Sequence, residues 1–275
     1  MRRASELPTT ADRQRRTQLT DTHAREALGK VPEVTFWFWL IKIAATTLGE
    51  TGGDAVTMSM HLGYLVGTAI FASVFVVAVA AQIAARKFYP YLFWFVIIAT
   101  TTAGTTLADF LDRSLGIGYL GGTAILVVLL ATTLGLWRWS LGSVSLESIR
   151  SRKAEIFYWV TIMFSQTLGT ALGDWMADDK GGLGLGYRGG ALVFAAALAL
   201  VVAAYYWTKL SRTLLFWAAF ILTRPLGATV GDFLDKPLAS GGLALSRYWA
   251  SAALAVFIVG CIVLLPQRAE KTTVA

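Results

Sequence analysis

Leu48-Gly49-Glu50-Thr51-Gly52-Gly53-Asp54 recurs three times further along the chain, as Ala103-Gly104-Thr105-Thr106-Leu107-Ala108-Asp109, Leu168-Gly169-Thr170-Ala171-Leu172-Gly173-Asp174 and Leu226-Gly227-Ala228-Thr229-Val230-Gly231-Asp232. Each copy reads Gly, three residues, a small residue, then Asp, and each lies late in a long apolar run. An aspartate inside a bilayer costs about 2.5–3.5 kcal/mol on insertion scales unless something pairs with it. Four of them at one register of four runs require a common physical explanation.

The surrounding composition is that of a membrane protein. Of 275 residues, 56% are hydrophobic and 15% charged, with a mean hydropathy of +0.59; a soluble domain of this length needs more charge on its surface. The net charge of +7 would suggest nucleic acid in a soluble protein, but the basic residues flank apolar runs, where they set orientation in a bilayer. No nucleic-acid partner is expected. The single cysteine, Cys261, excludes an internal disulfide or a cysteine-rich metal site, and two histidines, His23 and His61, leave little for an imidazole site. No resident cofactor is expected; a transported metal would meet mostly oxygen ligands, which suit hard cations.

Residues 1–31 read as a basic, disordered cytoplasmic tail without a secretory-signal pattern. Eight apolar runs follow, near 34–58, 62–85, 90–111, 117–137, 155–177, 184–207, 213–234 and 243–265, each about the 20 residues a spanning helix needs. They pair into four tandem repeats, about 32–87, 88–140, 153–209 and 210–265, with a second tail at 266–275. The first helix of each repeat opens with aromatics, read as interface belts. Asp54 follows Trp39, Asp109 follows Trp94, Asp174 follows Trp159 and Asp232 follows Trp217, always by 15 residues, or about 22 Å of helix. The second helix opens with Gly63-Tyr64, Gly118-Tyr119, Gly186-Tyr187 and, degenerate, Arg247-Tyr248. Lysine and arginine concentrate in the tails and in the links between repeats, which predicts both termini on the cytoplasmic side. The expected fold is all-α: a polytopic bundle of eight transmembrane helices, built as four helical hairpins in parallel orientation.

The pairs Gly49 and Gly53, Gly104 and Ala108, Gly169 and Gly173, and Gly227 and Gly231 have the small-xxx-small spacing that lets helix backbones approach. They predict that the first helices pack on one another with the adjacent Asp inward. Asp54, Asp109, Asp174 and Asp232 would then form an inner carboxylate cluster, joined by Glu50, which lies one turn before Asp54 on the same face. These five are the expected ion-binding or proton-relay groups and the candidate metal ligands. Lys42 and Arg224, which break the repeat symmetry, are the expected charge compensators, because like charges this close need an offset. Asp112 and Asp235 read as turn residues.

The repeated Trp, the Gly-to-Asp motif and the Gly-Tyr opening resemble a family of bacterial membrane proteins built from tandem two-helix repeats with a characteristic tryptophan. The resemblance spans about 34–265 and is looser in the fourth repeat, at Arg224-Pro225 and Ser246-Arg247-Tyr248. It implies four hairpins in a bacterial inner membrane and, the repeat being of unknown function, no activity.

Chemistry therefore carries the functional expectation: a transporter in the lipid bilayer for a small ion, either a hard divalent cation of the Mn²⁺ or Mg²⁺ class or a proton-coupled substrate. The alternative is a non-transporting scaffold in which the same Asp and Gly residues are structural. No nucleophile–base arrangement, HExxH or cofactor fingerprint is visible, so an enzyme is not expected. A homo-oligomer is compatible with the sequence.

Overall fold

A computed structural model of the chain describes residues 30–146, 149 and 151–270; the reading of residues 1–29 as a basic tail falls outside them. Eight long helices follow in order: α1 Phe36–Asp54, α2 Gly63–Ala84, α3 Pro90–Asp109, α4 Tyr119–Leu141, α5 Arg152–Ala177, α6 Gly186–Trp207, α7 Arg212–Asp235 and α8 Arg247–Leu264. Two helices of each repeat lie either side of a short turn, which gives the four tandem hairpins. Local signals start them: Thr35 Oγ1 accepts from Phe38 N and Ser151 Oγ from Ala154 N, while α3 opens on Pro90. Gly63, Gly118 and Gly186 sit at φ of +74°, +75° and +65° where the second helices begin. A side chain is strained there, which explains the repeated Gly. In the looser fourth repeat the left-handed positions fall instead on Gly241 and Ala244.

Among the described residues six helices (α2, α3 with its following turn, α4, α6, α7 and α8) are long and apolar enough to cross a membrane. The other two, α1 and α5, are diluted by the polar residues that they bury, among them Lys42 and Glu50 in α1 and Ser165 and Gln166 in α5. Both pack between α3 and α7. The protein is thus a helical membrane bundle.

The first helices of the four repeats form a closed inner ring, α1 on α3, α3 on α5, α5 on α7 and α7 back on α1. Their tryptophans gather at one end and their aspartates at the other, so the four run parallel. The glycines lie in the seams. Gly49 lies against Thr101, Gly104 against the backbone of Gln166 and Thr167, Gly169 against Arg224 and Gly227 against Thr46. Thr46, Thr101, Gln166 and Arg224 occupy the same register of successive repeats, so one heterologous contact is used four times and closes on itself. One turn on, Gly53 lies against Thr105, Gly173 against Ala228 and Gly231 against Glu50, and Ala108 is buried.

The second helices form the outer layer, and their partner is not the helix they are hairpinned to. α2 packs along α3, α4 along α5, α6 mainly along α7, and α8 returns to α1. Each repeat thereby covers its successor. The outer helices expose rows of large apolar side chains, such as Val76 and Val77, Leu192 and Leu200, and Val256 and Val263, as a lipid-facing surface requires.

The aromatic openings correct the expectation of an interface belt. Phe36, Trp37 and Phe95 do point outward, but Phe93, Trp94, Tyr158, Trp159 and Trp217 are buried. They close the end of the ring remote from the aspartates, with ring centroids 5.5 Å apart for Phe38 and Trp94 and 6.0 Å for Phe93 and Trp159. The two ends of the described chain meet there. Glu33 N donates to Arg268 O and Glu270 N to Val31 O, both at 2.9 Å, while Trp94 Nε1 donates to Gln267 Oε1 at 3.2 Å. Lys30 pairs with Glu155 at 2.7 Å.

Candidate functional site: a carboxylate layer at the end of the helix ring

All four motif aspartates and Glu50 are buried, none more than 5% exposed. α1 and α3 each change to a π turn directly after their Asp, at Ala55–Ser59 and Phe110–Ser114; such turns are frequent at functional sites. The ring brings the aspartates together as two pairs. Asp109 and Asp174 share Arg113, whose Nε lies 3.0 Å from Asp109 Oδ1 and whose Nη2 lies 3.1 Å from Asp174 Oδ2. Asp54 and Asp232 share Lys236, whose ammonium contacts Asp54 Oδ2 and lies 3.0 Å from Asp232 Oδ1. Each cation stands four residues after the Asp of its own helix and reaches the Asp of the next repeat around the ring. The corresponding positions in the first and third repeats hold Met58 and Asp178.

One turn deeper, Glu50 Oε2 accepts from Arg224 Nη2 at 2.9 Å and from Thr105 Oγ1 at 3.2 Å, and Arg224 Nη2 also reaches Thr105 and Thr170. The knot takes one residue from each ring helix. Arg224 is fully buried. It rises from one turn below to serve the layer in which its own repeat carries Ala228.

Arg224 therefore sits where a charge compensator was expected, across the bundle from Glu50. Lys42 does not: its Nζ donates to Phe220 O at 3.1 Å and Thr223 Oγ1 at 2.7 Å, and lies 3.8 Å from the centroid of the Phe220 ring. Among the described residues no carboxylate lies within ion-pair reach of it. Its helix places it 12 residues, about 18 Å, before Asp54, and the ring runs parallel, so every motif Asp is comparably remote.

The five expected carboxylates do not converge on one point. Glu50, Asp54 and Asp232 can each offer an oxygen within 4.8 Å of the others, whereas Asp109 and Asp174 are joined through Arg113. Asp54 Oδ1 is buried without a hydrogen-bond partner among the described residues. Asp232 Oδ1 lacks hydrogen-bond geometry despite its 3.0 Å ion-pair distance to Lys236. Below them, the hydroxyls of Thr101 and Ser165 and both amide atoms of Gln166 are also buried without hydrogen-bond partners among the described residues.

The turn residues are more involved than their sequence suggested. Asp235 accepts from Arg247 Nε at 3.1 Å, and that nitrogen lies 3.8 Å from Asp54. Asp112 is buried against Gly122. Arg113 and Lys236 are not among the candidates that the repeated motif singles out; the signal that identifies them is the i,i+4 spacing from Asp109 and Asp232, which places acid and base on one helix face.

The four repeats match a family described as a Repeat of Unknown Function (DUF347), over residues 37–88, 92–142, 157–211 and 215–270. The chain belongs to that family. Each matched DUF347 segment contains most of one ring helix, its motif Asp and the outer helix that follows, so the family's unit is the unit of the ring. No curated protein and no solved structure matches the chain.

Proposed function

We propose that this DUF347 protein is a transporter of the bacterial cytoplasmic membrane, both termini cytoplasmic, that passes a hard divalent cation through its carboxylate layer. One observation carries this reading: Glu50, Asp54 and Asp232, three buried acids from two helices, can direct oxygens to one small volume. Carboxylates at membrane depth are characteristic of ion pathways. Four parallel ring helices also end at this layer, and their C-terminal dipoles favour a cation there. The meeting of the segments 31–33 and 268–270 at the tryptophan end, beside the basic links, supports the assigned sidedness. The buried threonines and Gln166 along the ring axis supply polar groups towards that end.

A specific observation favours the second reading, a scaffold: each motif Asp already has a basic partner, as helix staples would. Uptake of Mn²⁺ by proteoliposomes separates the two. Glu50→Gln and Asp54→Asn should each remove most of the uptake while the protein still purifies as a folded bundle. Uptake unchanged in both variants, or none above empty liposomes in the wild type, would leave the scaffold.

A further inference from the structure

We infer that Lys236 is a tethered competitor of the transported cation: its ammonium occupies the Glu50, Asp54 and Asp232 site at rest, and a hard divalent cation enters by displacing it. The inference rests on the transport reading and adds the site, its ligands and the resident charge that must leave.

Charge and geometry carry it. Glu50, Asp54 and Asp232 bring three negative charges, and Arg224 on Glu50 cancels one. Lys236 halves the remaining two, whereas a divalent cation in its place cancels them. Arg247 offsets the remaining charge only in part, because it is shared between Asp235 at 3.1 Å and Asp54 at 3.8 Å. Bonding capacity is also vacant there: Asp54, fully buried, keeps Oδ1 without a hydrogen-bond partner among the described residues. The ligand spacing suits a hard cation. Metal–oxygen bonds of about 2.3–2.6 Å, as for Ca²⁺, set opposite oxygens about 5 Å apart; bonds of about 2.1 Å set them near 4.2 Å. Oxygens that all lie within 4.8 Å of one another fall inside the first of these spans.

Lys236 is built to leave. It is the residue directly after α7, opening the turn to the short helix Leu238–Ser240. Its long stem can carry the ammonium towards the outer end of the bundle, and its charge is a compact point rather than a planar fork. Arg113, its counterpart, binds Asp109 and Asp174 through separate nitrogens and donates from Nη1 to Tyr64 Oη at 3.2 Å.

Equilibrium Mn²⁺ and Ca²⁺ binding to the detergent-purified full chain tests this without any flux measurement. Lys236→Met should tighten binding about tenfold or more, a modest fraction of what removing a unit charge near the ion yields at a protein-like dielectric. Lys236→Arg should weaken it, and Glu50→Gln should reverse the gain of Lys236→Met. In the wild type, labelling of Lys236 by an amine-acylating reagent, read by mass spectrometry, should rise when Mn²⁺ is added. Unchanged affinity in Lys236→Met and labelling insensitive to Mn²⁺ would overturn the inference. If Lys236→Met does not fold, unchanged affinity in Lys236→Arg together with that insensitivity does the same. Binding as described without flux would refute transport and leave the site standing.

Discussion

The two acidic pairs come from the same repeated motif at the same register, yet they are held in different ways. Asp109 and Asp174 are clamped by a guanidinium, which is itself fixed between Tyr64 and Tyr119, with both ring centroids 5.9 Å away. Asp54 and Asp232 are bridged by the ammonium of a lysine just beyond a helix end, and a third acid, Glu50, lies beside them. The difference teaches that fourfold repetition built the frame and substitutions at single positions gave its sides separate chemistry. Met58, Arg113, Asp178 and Lys236 fill one register; Glu50, Thr105, Thr170 and Ala228 fill another. The ring is nearly symmetric and its charge is not.

The largest effect should come from breaking the frame that presents both pairs. A side chain at Gly104 would meet the backbone of Gln166 and Thr167 at 3.0 Å, and backbone cannot move aside as a rotamer can. Gly104→Leu should abolish the folded bundle, seen as aggregation in size-exclusion chromatography. Gly135, on an outer helix with open space around it, should tolerate Ala without loss.

Next come the clamps themselves. Arg113→Met strands two buried carboxylates and should cost about 3–5 kcal/mol, read as a lowered thermal midpoint that Mn²⁺ does not restore. Lys236→Met should cost less, because Arg247 remains near Asp54, and Mn²⁺ should recover most of it. Equal rescue of both variants would erase the distinction between the pairs. The smallest effect belongs at the opposite end: Gln267→Ala loses the hydrogen bond from Trp94 Nε1, about 0.5–1.5 kcal/mol, and should alter neither pair's response to Mn²⁺.

Much of this frame was legible in the sequence because packing in a membrane writes itself as small residues at fixed spacing. The glycine stripes located the seams, the constant Trp-to-Asp interval located the two ends, and symmetry breaking drew attention to Arg224. Three features were not legible. Hairpin connectivity says which helices are joined but not which pack, so the reach of each outer helix to the following repeat had no local signature. Aromatic residues at a helix start read alike whether they face headgroups or one another, and Trp94, Trp159 and Trp217 do the latter. Arg113 and Lys236 each occur in a single repeat and so fall outside the repeated motif; only the closed ring shows that each reaches an Asp of the next repeat. Lys42 misled because a buried lysine suggests an acid, whereas a carbonyl, a hydroxyl and an aromatic face hold it here.

The central claim, that cation passage uses the Lys236 side of the ring, meets its most direct test in Mn²⁺ flux through proteoliposomes containing either of two double variants. Asp54→Asn with Asp232→Asn should abolish flux, while Asp109→Asn with Asp174→Asn, once verified as folded, should retain a substantial part of it. Wild-type flux in the first variant, or loss confined to the second, would contradict the claim.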